Sequence, residues 1–210
     1  MIVIGLTGSI GMGKTTTAKL FSGEGVPVWD ADAAVHRLYA PGGRAVKPIL
    51  EAFPNAGNEE TGIDRSSLSA ALQQAAELRR LESIVHPLVR EDQAAFLDLQ
   101  RRKNAPVVVL DIPLLAESGA AAAFDAVVVV TADENVRRAR VLSRPGMTED
   151  KFEAILSRQA PEAERLAIAD HVIRTDRGIP HAREEVRAVL SALREKHGLP
   201  KSPSKGSDEA

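Results

Sequence analysis

The chain has 210 residues, 44% of them hydrophobic and 27% charged, and carries a formal net charge of −2. That is the make-up of one globular domain of ordinary size, and the balance of 27 Lys+Arg against 29 Asp+Glu argues against a general nucleic-acid binder. The lack of cysteine excludes a disulfide framework and any thiolate metal site, and the five histidines (His36, His86, His171, His181, His197) show no metal spacing such as HExxH.

Ile2–Leu6 predicts a buried strand, because continuous β-branched runs fit a parallel sheet covered on both faces. No basic leader precedes it, and no apolar run is long enough to cross a bilayer. A cytoplasmic protein with no membrane partner is expected, although a cysteine-free secreted protein would fit the composition too. The strand runs into a glycine-rich turn and a helix from Thr16 to about Ser22. Val26–Trp29 predicts a weaker second strand. Residues 31–104 read as a long, mostly helical insertion, with a loop-like stretch at Pro54–Asp64 rich in Asn, Gly and Glu. Val107–Leu110 and Val127–Val130 predict further strands, residues 137–169 a second helical excursion, and His171–Arg174 the last strand. Ala182, Val186, Val189, Leu190 and Leu193 make one apolar stripe at helical spacing, closed by Gly198 and Pro200. Lys201–Ala210 has no hydrophobic anchor and reads as a disordered tail. Strands alternating with helices predict an α/β fold built on a parallel sheet.

Gly8-Ser9-Ile10-Gly11-Met12-Gly13-Lys14-Thr15 matches GxxxxGK[ST], the Walker A pattern. Glycines let the backbone wrap so that successive N–H groups face phosphate oxygens. The N-terminus of the following helix adds partial positive charge. Lys14 is expected on the β- and γ-phosphates and the Thr15 hydroxyl on Mg²⁺. A glycine-rich turn with no ligand is the bland alternative, and the strand before and helix after weigh against it. The site is read as one for a nucleoside triphosphate, with Mg²⁺ as cofactor.

Three classes of P-loop protein then compete: small-molecule kinase, GTPase switch and motor ATPase. The strand at Ala126–Val130 is followed by Thr131-Ala132-Asp133-Glu134, and no guanine-reading NKxD occurs. Size, two helical insertions and an arginine cluster favour a kinase. Arg137, Arg140 and Arg144 stand at i, i+3 and i+7, which predicts one helix face. That face is either a solvated basic surface or a lid supplying positive charge to the transferred phosphoryl. Arg140 is taken as the principal lid arginine. Asp30 and Asp32 follow the second strand, on the side where open α/β sheets bind ligands. Asp30 suits a helix cap as well as a base, so Asp32 is the better candidate for accepting a proton from a substrate hydroxyl. Asp111, after Val107–Leu110, fits a Walker-B-type carboxylate acting on Mg²⁺ through water, a cap, or an acid that shapes the Asp111-Ile112-Pro113 turn.

Together these residues resemble the dephospho-CoA kinase family. The resemblance rests on the glycine loop from Gly5 to Thr15, Asp30-Ala31-Asp32, Asp64-Arg65-x-x-Leu68, Ile84-Val85-His86-Pro87 and Asp111-Ile112-Pro113-Leu114-Leu115-x-Glu117. It continues through Arg140-x-x-x-Arg144, Gln159, Arg165 and Ala169-Asp170, in the family's order over about residues 2–178. It implies ATP-dependent phosphorylation of the ribose 3′-hydroxyl of dephospho-CoA, giving coenzyme A and ADP with Mg²⁺. It also implies a P-loop NTPase-type parallel sheet of about five strands flanked by helices. The single kinase domain would span residues 1–200: a core at about 1–30, 105–136 and 170–198, a substrate-binding helical region within 31–104, and a lid around 137–160.

By motif, Asp32 takes the base position, with Lys14 and Arg140 as its catalytic partners. Gly8, Gly11, Met12, Gly13, Lys14, Thr15, Thr16 and Arg144 take the ATP positions. Arg65, His86 and Leu114 are candidate acceptor contacts beside Asp32, although His86-Pro87 also suits a purely structural helix start or kink. Arg65 is a plausible bidentate partner for the acceptor's pyrophosphate. Partners are ATP and dephospho-CoA, with no nucleic acid, and the protein is expected as a monomer or small homo-oligomer. Three positions depart from the family: Met12 where small residues are common, Ala116 where Phe is usual, and Thr175 where Asn is usual, in a loop near the family's adenine. The alternatives are another P-loop kinase acting on a nucleoside, nucleotide or small alcohol, and a regulator that binds ATP without transferring phosphate.

Overall fold

In the computed structural model, which describes residues 1–200, each continuous apolar run becomes a strand of one sheet. The tail expected at Lys201–Ala210 lies outside the described residues. The chain runs β1 (Ile2–Thr7), α1 (Lys14–Gly23), β2 (Val28–Asp30), α2 (Ala31–Tyr39), α3 (Val46–Ala52), β3 (Gly57–Asn58), β4 (Gly62–Ile63), α4 (Arg65–Ala71) and α5 (Ala75–Arg102). It continues with β5 (Val107–Asp111), α6 (Leu115–Ser118), β6 (Ala126–Thr131), α7 (Glu134–Leu142), α8 (Glu149–Leu156), α9 (Glu162–Ala167), β7 (His171–Arg174) and α10 (Ile179–Lys196). It divides into two compact units, Trp29–Lys103 and the remainder.

The first unit is organised by a five-stranded parallel sheet of order β2-β5-β1-β6-β7. Neighbouring strands are distant in sequence, so helices make the crossovers that parallel pairing requires. β1 lies at the centre, where Ile4 pairs with Val109 on one side and Ala126 on the other. Both faces of the sheet are covered, which is why its strands read as unbroken Val, Ile and Leu. On one face Ile4, Leu6, Val109 and Val128 pack with Phe21 of α1 and with the predicted stripe of α10, whose five members are all buried. On the other, Leu115 of α6 packs on Val127 and Val129. Gly198, at φ +65°, ends α10, and the Leu199 amide turns back to the Arg194 carbonyl at 2.8 Å.

Three differences from the sequence reading matter most. The helix after the glycine turn starts at Lys14, two residues early, because the loop's last glycine is itself the N-cap. The second strand is β2 at Val28–Asp30 instead of Val26–Trp29. Val26 is buried in the core, and the Pro27 carbonyl already takes the Val109 amide at 2.9 Å. The loop-like stretch Pro54–Asp64 holds the two-residue antiparallel pair β3–β4. Its turn is held by the Asn58 side chain, which accepts from the Glu60 amide at 3.0 Å and the Thr61 amide at 2.8 Å. Strands of two residues leave no alternation to read.

The second unit packs Leu38, Tyr39, Ile49, Phe53, Leu68, Leu81 and Val85 from α2 to α5 into its own core. Pro87 neither starts nor ends a helix; it lies inside the 28-residue α5.

Candidate active site

The loop between β1 and α1 is shaped by space as much as by backbone freedom. Gly11 has φ +79° and Gly13 φ +92°, the left-handed region that L side chains avoid. A Cβ on Gly11 would stand 2.5 Å from Val141 Cγ2 and 2.9 Å from Arg137 Cγ, so α7 presses directly on the loop. A Cβ on Gly8 would stand 2.9 Å from the Val130 carbonyl. Met12 is 2% exposed, with its side chain in the core, which explains why a large residue is tolerated there.

Lys14 opens α1 and places its Nζ 2.5 Å from Asp111 Oδ1. Asp111 is the last residue of β5 and is 1% exposed. The sequence offered it three roles, a magnesium carboxylate, a cap or a turn-shaping acid; in the structure it takes a fourth, as partner of the loop lysine. Thr15 and Thr16 are exposed on the first turn of α1, whereas Thr17 is buried and donates its hydroxyl to the Gly13 carbonyl at 3.2 Å. The Thr15 hydroxyl and the Asp111 carboxylate are hard oxygen donors of the kind Mg²⁺ takes. Among the described residues no cluster of three His, Asp or Glu forms a cage. That donor set fits an ion completed by water and phosphate oxygens.

Arg140 leaves α7 toward the loop after β7. Its Nη1 donates to Thr175 Oγ1 and its Nη2 to the Thr175 carbonyl, each at 2.8 Å. The Thr175 hydroxyl in turn donates to the Met12 carbonyl at 2.7 Å. One buried hydroxyl thus ties the glycine loop to Arg140. Thr175→Val keeps the shape and removes the hydroxyl. It is expected to cost about 1–3 kcal/mol by leaving the Met12 carbonyl without its donor, read as a lower melting temperature, and to raise the KM for ATP by releasing Arg140.

The three arginines do not share a helix face. α7 ends at Leu142, and Arg144 lies beyond the Ser143 cap, exposed. Pro145 disfavours helical geometry at Arg144, and Gly146 turns the chain at φ +73°. That Arg-Pro-Gly signal was readable in the sequence and outweighs the i, i+7 spacing. Arg137 is 9% exposed, beneath Phe152 of α8.

Other motif residues hold the surroundings in place. Gln159 accepts from the Ser9 hydroxyl and from the Ile10 amide at 3.2 Å, fastening the chain after α8 to the glycine loop. Glu117 accepts from the Ala160 amide at 2.7 Å, and Arg165 donates to the Ala160 carbonyl. Pro113 accepts the Thr7 hydroxyl at 3.1 Å, and Asp170 accepts the Val127 amide at 2.8 Å. Leu115 is fully buried, whereas Leu114 is 52% exposed. Sequence reasoning assigned no site role to Gln159 or Thr175. Gln159 meets Ser9 across 150 residues and Thr175 meets Met12 across 163, so no local pattern announces those bonds.

Asp32, Arg65 and His86 belong to the second unit. Asp30 caps α2 by accepting the Ala33 amide at 3.0 Å, and Asp32 is exposed in the first turn of that helix. His86 is exposed on α5. Arg65 opens α4 with its guanidinium 5.9 Å from the Tyr39 ring centre. Burial raises the Tyr39 pKa, and Arg65 partly offsets that. Asp64 caps α4, accepting the Ser66 hydroxyl and the Ser67 amide, each at 2.7 Å. These bonds, the Ser66 hydroxyl first, hold its carboxyl down at about 2, against an ordinary 3.8. A depressed carboxyl stabilises the folded chain above its unfolded pKa, and that contribution is lost as pH falls through the folded value. The cap is therefore expected to weaken from about pH 4 toward pH 2. An NMR titration of the Asp64 carboxyl checks the midpoint.

Among the described residues no helix is long and apolar enough to cross a membrane. A family model for dephospho-CoA kinase matches residues 2–181. A dephospho-CoA kinase of Mesorhizobium japonicum is 52% identical over 200 residues, which cover 94% of this chain and 100% of that protein. A crystal structure from Thermus thermophilus aligns with a TM-score of 0.77 at 32% identity, over 92% of this chain and 97% of that one. A Campylobacter jejuni dephospho-CoA kinase, 23% identical with a TM-score of 0.68 over 93% of this chain and 98% of that one, shares the fold. With a glycine loop, a lysine held on a buried β5 carboxylate and matches of this length, the chain belongs to the dephospho-CoA kinase family.

Proposed function

We propose that the chain transfers the γ-phosphoryl group of ATP to the ribose 3′-hydroxyl of dephospho-CoA, releasing coenzyme A and ADP. The observation that carries this reading is the loop of residues 8–15 with Lys14 poised on buried Asp111, in a chain 52% identical to a dephospho-CoA kinase. Main-chain amides from Gly8 to Thr16 cradle the phosphates, with Gly11, Met12 and Gly13 at the closest approach. Lys14 exchanges Asp111 for the β- and γ-phosphates when nucleotide binds. Arg140 and Arg144 neutralise charge on the phosphate chain. A magnesium ion held by Thr15, and through water by Asp111, supplies further neutralisation when bound.

Asp32 accepts the proton of the 3′-hydroxyl as that oxygen bonds to the γ-phosphorus and the bond to ADP breaks. Arg65 holds the acceptor's pyrophosphate as a fork, and His86 and Leu114 add acceptor contacts. The test is transfer of labelled γ-phosphate by purified protein to dephospho-CoA, beside a panel of nucleosides and nucleoside monophosphates. Preferential labelling of dephospho-CoA is expected. ATP binding with no labelled acceptor would overturn the enzyme reading.

A further inference from the structure

Arg137 takes no part in the site described so far. Its guanidinium carbon lies 5.5 Å from the Phe152 ring centre, and only 9% of the residue is exposed. Stacking on a ring covers one face of the guanidinium and leaves its five in-plane donors unmet. Among the described residues its Nε is buried without a hydrogen-bond partner, and no carboxylate pairs with the side chain. A guanidinium stays charged at every working pH, so burial without a counter-charge is costly unless an anion completes it.

The surroundings provide room for one. Arg137 lines a cavity of about 530 Å³ together with Ser9, Glu134, Gln159, Glu162 and Arg165, and neither carboxylate forms an ion pair with it. Arg165 is 5% exposed and spends one nitrogen on the Ala160 carbonyl. Burial lowers its pKa, the Glu117 and Glu162 carboxylates oppose that, and the Arg137 charge adds a smaller lowering, so the two cations feel one another. Glu162 accepts the Thr131 hydroxyl at 2.5 Å. Ser9 belongs to the glycine loop, which puts the cavity against the phosphate cradle.

The geometry points to Arg137, backed by Arg165, as an oxyanion subsite beside the glycine loop that receives a phosphate group of a bound substrate. The group comes either from the terminal phosphate of the nucleotide or from the diphosphate of the acceptor. Only the identity of those two substrates rests on the kinase reading above.

The test compares wild type with R137M, which keeps an apolar stem against Phe152, and R137K, which keeps charge but loses the fork. Calorimetry measures binding of Mg·ATP alone and of dephospho-CoA alone, and a melting curve accompanies each variant. A Kd raised about tenfold in R137M is expected for one of the two ligands. A rise in the ATP value assigns the nucleotide's phosphate, and a rise in the dephospho-CoA value the acceptor's. Both values within about threefold of wild type overturn the subsite, whatever happens to the melting temperature. If R137M does not fold, R137K is judged by the same threshold. Wild type that binds ATP yet transfers nothing to dephospho-CoA sinks the kinase reading, while a weakened ATP affinity in R137M still supports the subsite. Wild type that binds neither ligand sinks both.

Discussion

Replacing Asp32 with asparagine is expected to slow phosphoryl transfer to dephospho-CoA by about 10²–10⁴-fold, the range lost with a general base. Asparagine keeps the side chain's shape but cannot take a proton. Asp32 is exposed on the first turn of α2, whereas Asp30 caps that helix. The two aspartates should therefore separate cleanly. Asp32→Asn leaves the melting temperature and the ATP affinity near wild type and lowers kcat. Asp30→Ala removes the bond to the Ala33 amide and costs about 0.5–2 kcal/mol of stability. A single-turnover experiment with saturating ATP decides it: an Asp32→Asn variant as fast as wild type would remove the proposed base.

Lys14→Met is expected to cut kcat by about 10²–10³-fold, as when one preorganised charge donor is deleted from a transferring phosphate. It should also destabilise the chain without ligand, because Asp111 is 1% exposed and loses its cation 2.5 Å away. Breaking one partner of a buried pair typically costs about 3–5 kcal/mol. The double variant Lys14→Met, Asp111→Asn tells the two losses apart. Removing both charges should restore much of the stability, since no buried carboxylate then lacks its lysine, and should restore none of the rate. Melting curves and turnover on the same three proteins give the comparison, and a double variant that recovers turnover would refute the role of Lys14.

The family motifs mix residues that hold the scaffold with residues that the scaffold does not use. Asp64-Arg65-x-x-Leu68 splits within four residues: Asp64 caps α4, Leu68 enters the core of the second unit, and Arg65 remains outside on Tyr39. Asp111-Ile112-Pro113-Leu114-Leu115-x-Glu117 behaves likewise. Asp111 takes Lys14, Pro113 takes the Thr7 hydroxyl, Leu115 fills the core and Glu117 takes the Ala160 amide. Spacing identifies such a motif without saying which of its members does which job.

The layered α/β architecture, the position of the glycine loop and the stripe of α10 are legible in the residue order alone. These follow from local rules: unbroken β-branched runs, helical periodicity, and glycines where the chain must turn left-handed. The end of α7 at Arg-Pro-Gly was equally local. Packing in three dimensions sets the rest: Lys14 rests on Asp111, Thr175 joins Met12 to Arg140, Gln159 grips Ser9 and Ile10, and among the described residues the buried Arg137 Nε has no hydrogen-bond partner. The physical reason is that hydrogen bonds and burial act through space. The partners are brought together by parallel strand crossovers and by helices folding back on the sheet, across separations that no local pattern encodes.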